Sequence, residues 1–72
     1  MIARFFVAMD NVITTIQVPI ERKNFVIDLC ENNRGKFLRI VEEAHGRRNI
    51  VIVPSTGLAD FARAIATATS VT

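Results

Sequence analysis

Apolar residues fall in short runs along most of this chain and take helical spacing only near its end. Residues 3–9 are apolar apart from Arg4 and predict a strand or ordered arm, closed by Asp10-Asn11. Residues 12–19 are rich in β-branched types and predict a strand. Pro19 puts that strand at an edge or ends it, because proline has no amide proton for the ladder. Glu21-Arg22-Lys23 makes the connection. Residues 24–31 alternate, with Phe25, Ile27 and Leu29 on one side and Val26, Asp28 and Cys30 on the other. Asn33–Gly35 is a turn, since Asn and Gly tolerate positive φ. Residues 36–43 alternate again: Leu38 and Ile40 share one face, while Phe37, Arg39 and Val41 share the opposite one.

His45-Gly46-Arg47-Arg48 predicts a further turn and Asn49–Val53 a fourth strand. Pro54-Ser55-Thr56 has the chemistry of a helix start, with Ser55 or Thr56 as the capping residue. Leu58, Phe61, Ala62 and Ile65 then follow at i, i+3, i+4 and i+7. The pattern therefore predicts an α+β unit, a four-stranded antiparallel sheet followed by one C-terminal helix. One helix covers one sheet face. The Phe25/Ile27/Leu29 and Leu38/Ile40 side is its natural ground, which leaves the face of Asp28, Cys30, Phe37 and Arg39 open to solvent or a ligand.

Composition adds an expectation about assembly. Half of the 72 residues are hydrophobic, a large share for one small domain. A chain this short buries only about 60% of the surface exposed on unfolding, so the surplus predicts a second copy bound through a two-fold interface. A net charge of +2 and a pI near 9.3 favour an anionic partner. The single cysteine, Cys30, excludes an intrachain disulfide and suits a reducing compartment. No run reaches the roughly 18 apolar residues of a membrane span. The apolar first nine residues are too short for a secretory signal and are expected to be structural.

Catalysis finds no support. There is no Gly-rich phosphate motif, and the seven acids show no spacing of an acid–base pair. His45 lies in a turn, and Cys30 has no Cys or His partner at metal-ligand spacing. No enzyme activity, cofactor, metal or small-molecule substrate is expected. The suggestive chemistry lies in Lys36-Phe37-Leu38-Arg39, where cations flank an aromatic ring on a strand. Single-stranded nucleic acid needs that combination, cations for its phosphates and a ring for its bases. Each feature has a plainer reading too: Phe37 as core, Asn32 and Asn33 as turn formers, Lys23 and Arg47-Arg48 as solvated charge.

Three segments together resemble the PUR repeat of the Pur-alpha family. They are Lys23-Asn24-Phe25-Val26-Ile27-Asp28-Leu29, then Glu31-Asn32-Asn33-Arg34-Gly35-Lys36-Phe37-Leu38-Arg39-Ile40-Val41-Glu42, then Leu58-Ala59-Asp60-Phe61. The resemblance covers about residues 13–67 in the family's order. It implies a β-β-β-β-α repeat over residues 12–72, with residues 1–11 as an N-terminal arm or extra strand. It also implies that two repeats intertwine as a homodimer through sheet and helix. The implied ligand is single-stranded, purine-rich DNA or RNA, in transcription or RNA regulation. The implied setting is nuclear or cytoplasmic, with an organelle left open.

By the same resemblance Lys23, Asn32, Phe37, Arg39, Arg47 and Arg48 match family contact positions, and Arg34 and Lys36 add cations at the hairpin. Cys30 stands where the family usually has a Lys, which predicts one phosphate contact fewer. Two alternatives follow. One is a protein-interaction module of the same fold with a weakened nucleic-acid face. The other is a Whirly-like single-strand binder.

Overall fold

The computed structural model describes residues 11–71, which form a single antiparallel sheet in the order β1-β2-β3-β4, then a helix. The strands are β1 (Asn11–Ile20), β2 (Lys23–Asn32), β3 (Gly35–Ala44) and β4 (Arg47–Pro54). A short 3-10 turn, Ser55–Gly57, leads into helix α1 (Leu58–Thr69). The arm expected over residues 1–11 lies outside the described residues, except for Asn11, which opens β1.

Hairpin chemistry sets the sheet. Glu21 turns from β1 to β2 with φ 55°. Between β2 and β3 the Asn32 Oδ1 accepts the Arg34 backbone N–H at 2.9 Å, and Gly35 follows at φ 124°. That is an Asx turn closed by a residue without a Cβ. His45 and Gly46, both at positive φ, join β3 to β4, as a type I′ turn requires. Arg47 and Arg48, expected in this turn, are the first residues of β4 instead. The two-residue I′ geometry matches strand twist and lets pairing run on to Ala44 and Arg47. Both prolines sit in the outer strands β1 and β4, where a missing ladder donor is tolerated.

The register fixes the two faces. Ile27 pairs with Ile16 and Ile40, and Ile40 with Val51, so these side chains share one side. On the other, Cys30 pairs with Phe37, and Phe37 with Pro54. Asp28 lies between Thr15 and Arg39 on the same side.

Two expectations about coverage are corrected. First, α1 does not lie over the sheet. It packs chiefly on the 3-10 turn and the end of β4, and none of its residues is buried. Phe61 is 36% and Ile65 51% exposed, so the apolar stripe is built but is left largely uncovered among the described residues. The helix itself is sound. Its alanines favour it, Asp60 sits in the first turn where the helix dipole welcomes an anion, and Asp60 pairs with Arg63 one turn on.

Second, the face expected to be open is closed along its centre, where Asp28, Cys30 and Val41 are buried. Part of the reason is polar: Asp28 takes the Arg39 guanidinium from one side and the Thr15 hydroxyl from the other, so its buried carboxylate is satisfied without water.

Candidate functional site

The predicted contact residues separate along the sheet. Asn32, Arg34, Lys36 and Phe37 gather at the β2–β3 hairpin, whereas Lys23, Arg47 and Arg48 lie at the opposite end with the other two turns. A ten-residue strand spans about 30 Å at roughly 3.3 Å per residue. The predicted contact residues therefore form two stations, not one cluster.

At the hairpin a groove of about 520 Å³ brings Asn32, Arg34, Lys36, Phe37 and Arg39 against Ile52 and Pro54 of β4 and Ser55 and Thr56 of the 3-10 turn. Phe37 is half-buried, and its cross-strand neighbour Pro54 is exposed. Arg34 and Lys36 are exposed, and neither side chain forms an ion pair among the described residues. Their charges are available. Asn32 uses its carbonyl oxygen on the turn, which orients its amide nitrogen away as a free donor.

Arg39 differs. Its Nη2 and Nε both donate to Asp28 Oδ2, at 2.8 and 3.3 Å, while the Thr15 hydroxyl donates to Oδ1 at 2.6 Å. Burial pushes the Asp28 carboxyl up, but the Thr15 hydroxyl and the Arg39 guanidinium outweigh it and hold the group below its ordinary value. Only 17% of the Arg39 side chain is exposed, so its charge is satisfied inside the sheet.

At the other end two of the four cations also have partners. Lys23 Nζ lies 2.8 Å from Glu42 Oε2, and Asn49 donates to the other oxygen of Glu42 at 3.0 Å. The Lys23 and Asn49 hydrogen bonds, with the Lys23 charge, lower the Glu42 pKa. Arg48 Nη2 donates to Glu43 Oε2 at 3.1 Å. Arg22 and Arg47 form no ion pair among the described residues, and both border the shallow groove around His45 and Gly46. No group of three or more metal-ligating side chains occurs among the described residues, and no helix there is long and apolar enough to cross a membrane.

Sequence reasoning missed Ile52, Pro54, Ser55 and Thr56. One signal pointed elsewhere: Ser55 and Thr56 have helix-capping chemistry. The N-cap of α1 is in fact Gly57, without a side-chain hydrogen bond, and Pro54 before the 3-10 turn is uncapped as well. The hydroxyls of Ser55 and Thr56 accordingly have no hydrogen-bond partner among the described residues.

A four-stranded antiparallel sheet, a trailing helix with an uncovered stripe, and a groove that sets a ring beside unpaired cations define a small sheet-based binding unit. Among known families, the model described as PurA ssDNA and RNA-binding protein matches residues 7–70, and the chain belongs to this family. The Arabidopsis thaliana protein named Transcription factor Pur-alpha 1 is 47% identical over 47 residues, 65% of this chain. The matched region is 15% of that relative's length. No solved structure matches.

Proposed function

We propose that this chain binds single-stranded, purine-rich DNA or RNA as a homodimer and acts in transcription or RNA regulation, in the nucleus or cytoplasm. One observation carries the reading: the hairpin groove sets Phe37 beside the unpaired cations Arg34 and Lys36. Phosphates bind cations that are free to leave water, and bases stack on an accessible ring. Membership of a family described as ssDNA- and RNA-binding supports it. Asn32 donates to a base or phosphate, and Arg47 serves a second phosphate station about one strand length away. Lys23 and Arg48 belong to that station and contribute less, because glutamates already hold them.

Underpacking supports the dimer. Among the described residues only Cys30, Val41 and Val53 are buried hydrophobics, while Ile16, Ile20, Val51 and Ile65 are each at least half exposed. A second repeat spanning residues 12–72 supplies what α1 and the sheet lack: the stripe of each α1 covers the Ile27/Ile40 face of its partner. Sedimentation then gives twice the 8.0 kDa chain mass, and a tetramer instead would favour the Whirly-like assembly.

The deciding experiment titrates a labelled purine-rich single strand at about 50 mM salt, where phosphate contacts are strong. Saturable binding that weakens with salt is expected. No binding by the wild-type chain sinks the reading and leaves the protein-interaction module, whose partners survive nuclease treatment in a pull-down.

A further inference from the structure

The hairpin supplies only one side of the groove. The other is β4 and the junction into α1: Ile52 and Pro54 on the strand, Ser55 and Thr56 in the 3-10 turn. The register places Pro54 directly opposite Phe37, and Ile52 opposite Arg39. Directly paired residues of an antiparallel ladder share a face, with Cβ atoms about 5 Å apart. Phe37, Pro54 and the exposed Ile52 thus make one continuous apolar platform open to solvent. Beside it stand the two hydroxyls that the sequence marks for capping and that have no hydrogen-bond partner among the described residues. A hydroxyl both donates and accepts, so the pair can meet either kind of group on a base edge. The volume, about 520 Å³, falls in the range of small-ligand sites. Apolar floor, hydrogen-bonding rim and adjacent unpaired cations together describe a nucleotide.

We propose that this groove seats one unstacked nucleobase over Phe37 and Pro54, with its edge hydrogen-bonded by the hydroxyls of Ser55 and Thr56 and its flanking phosphates on Arg34 and Lys36. The proposal rests on the single-strand reading above and extends the site from the hairpin to β4 and the strand-to-helix junction.

The test uses the full chain and a set of labelled purine-rich strands that carry one abasic position, moved nucleotide by nucleotide. With wild-type protein, one position should weaken binding by about five- to 150-fold, the range for loss of one stacked base. The Ser55→Ala/Thr56→Val variant should bind the intact strand about tenfold more weakly, for two hydrogen bonds lost. It should also lose less than the wild type does at the sensitive position. Its salt slope should be unchanged, because no charge is altered. Thr56→Ser keeps a hydroxyl and should bind better than Thr56→Val. Intact-strand binding of the double variant within about twofold of wild type, or equal weakness of Thr56→Ser and Thr56→Val, overturns the junction wall alone. Failure of the wild-type chain to bind any strand overturns the parent reading together with it.

Discussion

The two ends of the sheet carry the same kinds of residue and differ in what those residues are free to do. At the β2–β3 hairpin, Arg34 and Lys36 flank Phe37 and have no carboxylate partner among the described residues. At the opposite end Lys23 and Arg48 are matched by Glu42 and Glu43 from β3. A cation already paired gives up that pair when it binds a phosphate, so its net contribution shrinks toward zero. Counting basic residues ranks the far end first, with Arg22, Lys23, Arg47 and Arg48 against Arg34 and Lys36. Tracing their partners among the described residues leaves two unpaired cations at each end, and the hairpin alone sets Phe37 beside them.

Arg39 tests the comparison most severely, because it lines the hairpin groove yet is held like the paired cations. Arg39→Ala leaves Asp28 buried without its counter-charge and should cost about 3 kcal/mol of stability, measured by denaturant unfolding. If the variant instead keeps its stability and loses salt-sensitive binding, Arg39 belongs with Arg34 and Lys36, and the division collapses. Acid gives an independent check. The Asp28 pKa is lowered on folding, so its contribution is complete above the unfolded value near 3.9. It is lost as pH falls below that value and through the lower folded one. Asp28→Asn should remove this part of the acid sensitivity.

Phe37→Ala comes next. Loss of a stacked base weakens binding by about 1–3 kcal/mol. Titration of a labelled purine-rich strand reads it, with a thermal melt to confirm that the half-buried ring is not mainly holding the fold. Unchanged affinity removes the ring from the site and with it the chief advantage of the hairpin end.

How far the sequence alone reached depends on which forces acted within one strand and which across several. Period-two alternation showed Phe37 and Leu38 on opposite faces, and Asn and Gly marked the hairpin. The stripe of Leu58, Phe61 and Ile65 marked the helix. These are local signals, and the order of four strands and one helix followed from them. Membership of the family was legible for a similar reason, since the most specific of its three segments is one contiguous stretch from Glu31 to Glu42. What stayed hidden depends on pairing. Nothing near Arg39 in sequence says that Asp28, eleven residues earlier, will claim it. Strand register alone puts Pro54 beside Phe37. The closed centre of the supposedly open face has the same origin, and so do Ser55 and Thr56, whose capping chemistry a 3-10 turn leaves unused.

Salt dependence separates the ends more finely. Each phosphate contact on a single strand adds about 0.7 to the slope of log K against log salt. Arg34→Ala and Lys36→Ala should each lower the slope by about that amount. Arg47→Ala should do the same only when the strand is long enough to reach across the sheet, about 30 Å. Equal effects on short and long strands would place Arg47 in the hairpin station and contradict the separation along β3.

The smallest effect is expected at Lys23 and Arg48. Lys23 is half exposed and held by Glu42, while Arg48 is more exposed and held by Glu43. Exposed pairs of this kind contribute little to stability, so neither alanine variant should shift the melting midpoint by much. Each removes one cation and frees one carboxylate nearby, so the local field becomes more negative while little phosphate contact is lost. Lys23→Ala and Arg48→Ala should therefore slow association slightly at low salt, with a salt slope near that of wild type. The inverse substitutions sharpen the point. Glu42→Gln and Glu43→Gln release Lys23 and Arg48 from their partners, and stopped-flow association at low salt should quicken. If the glutamine variants also steepen the salt slope, the far end has been a phosphate station held in check by its own carboxylates, and pairing rather than position is what divides the sheet.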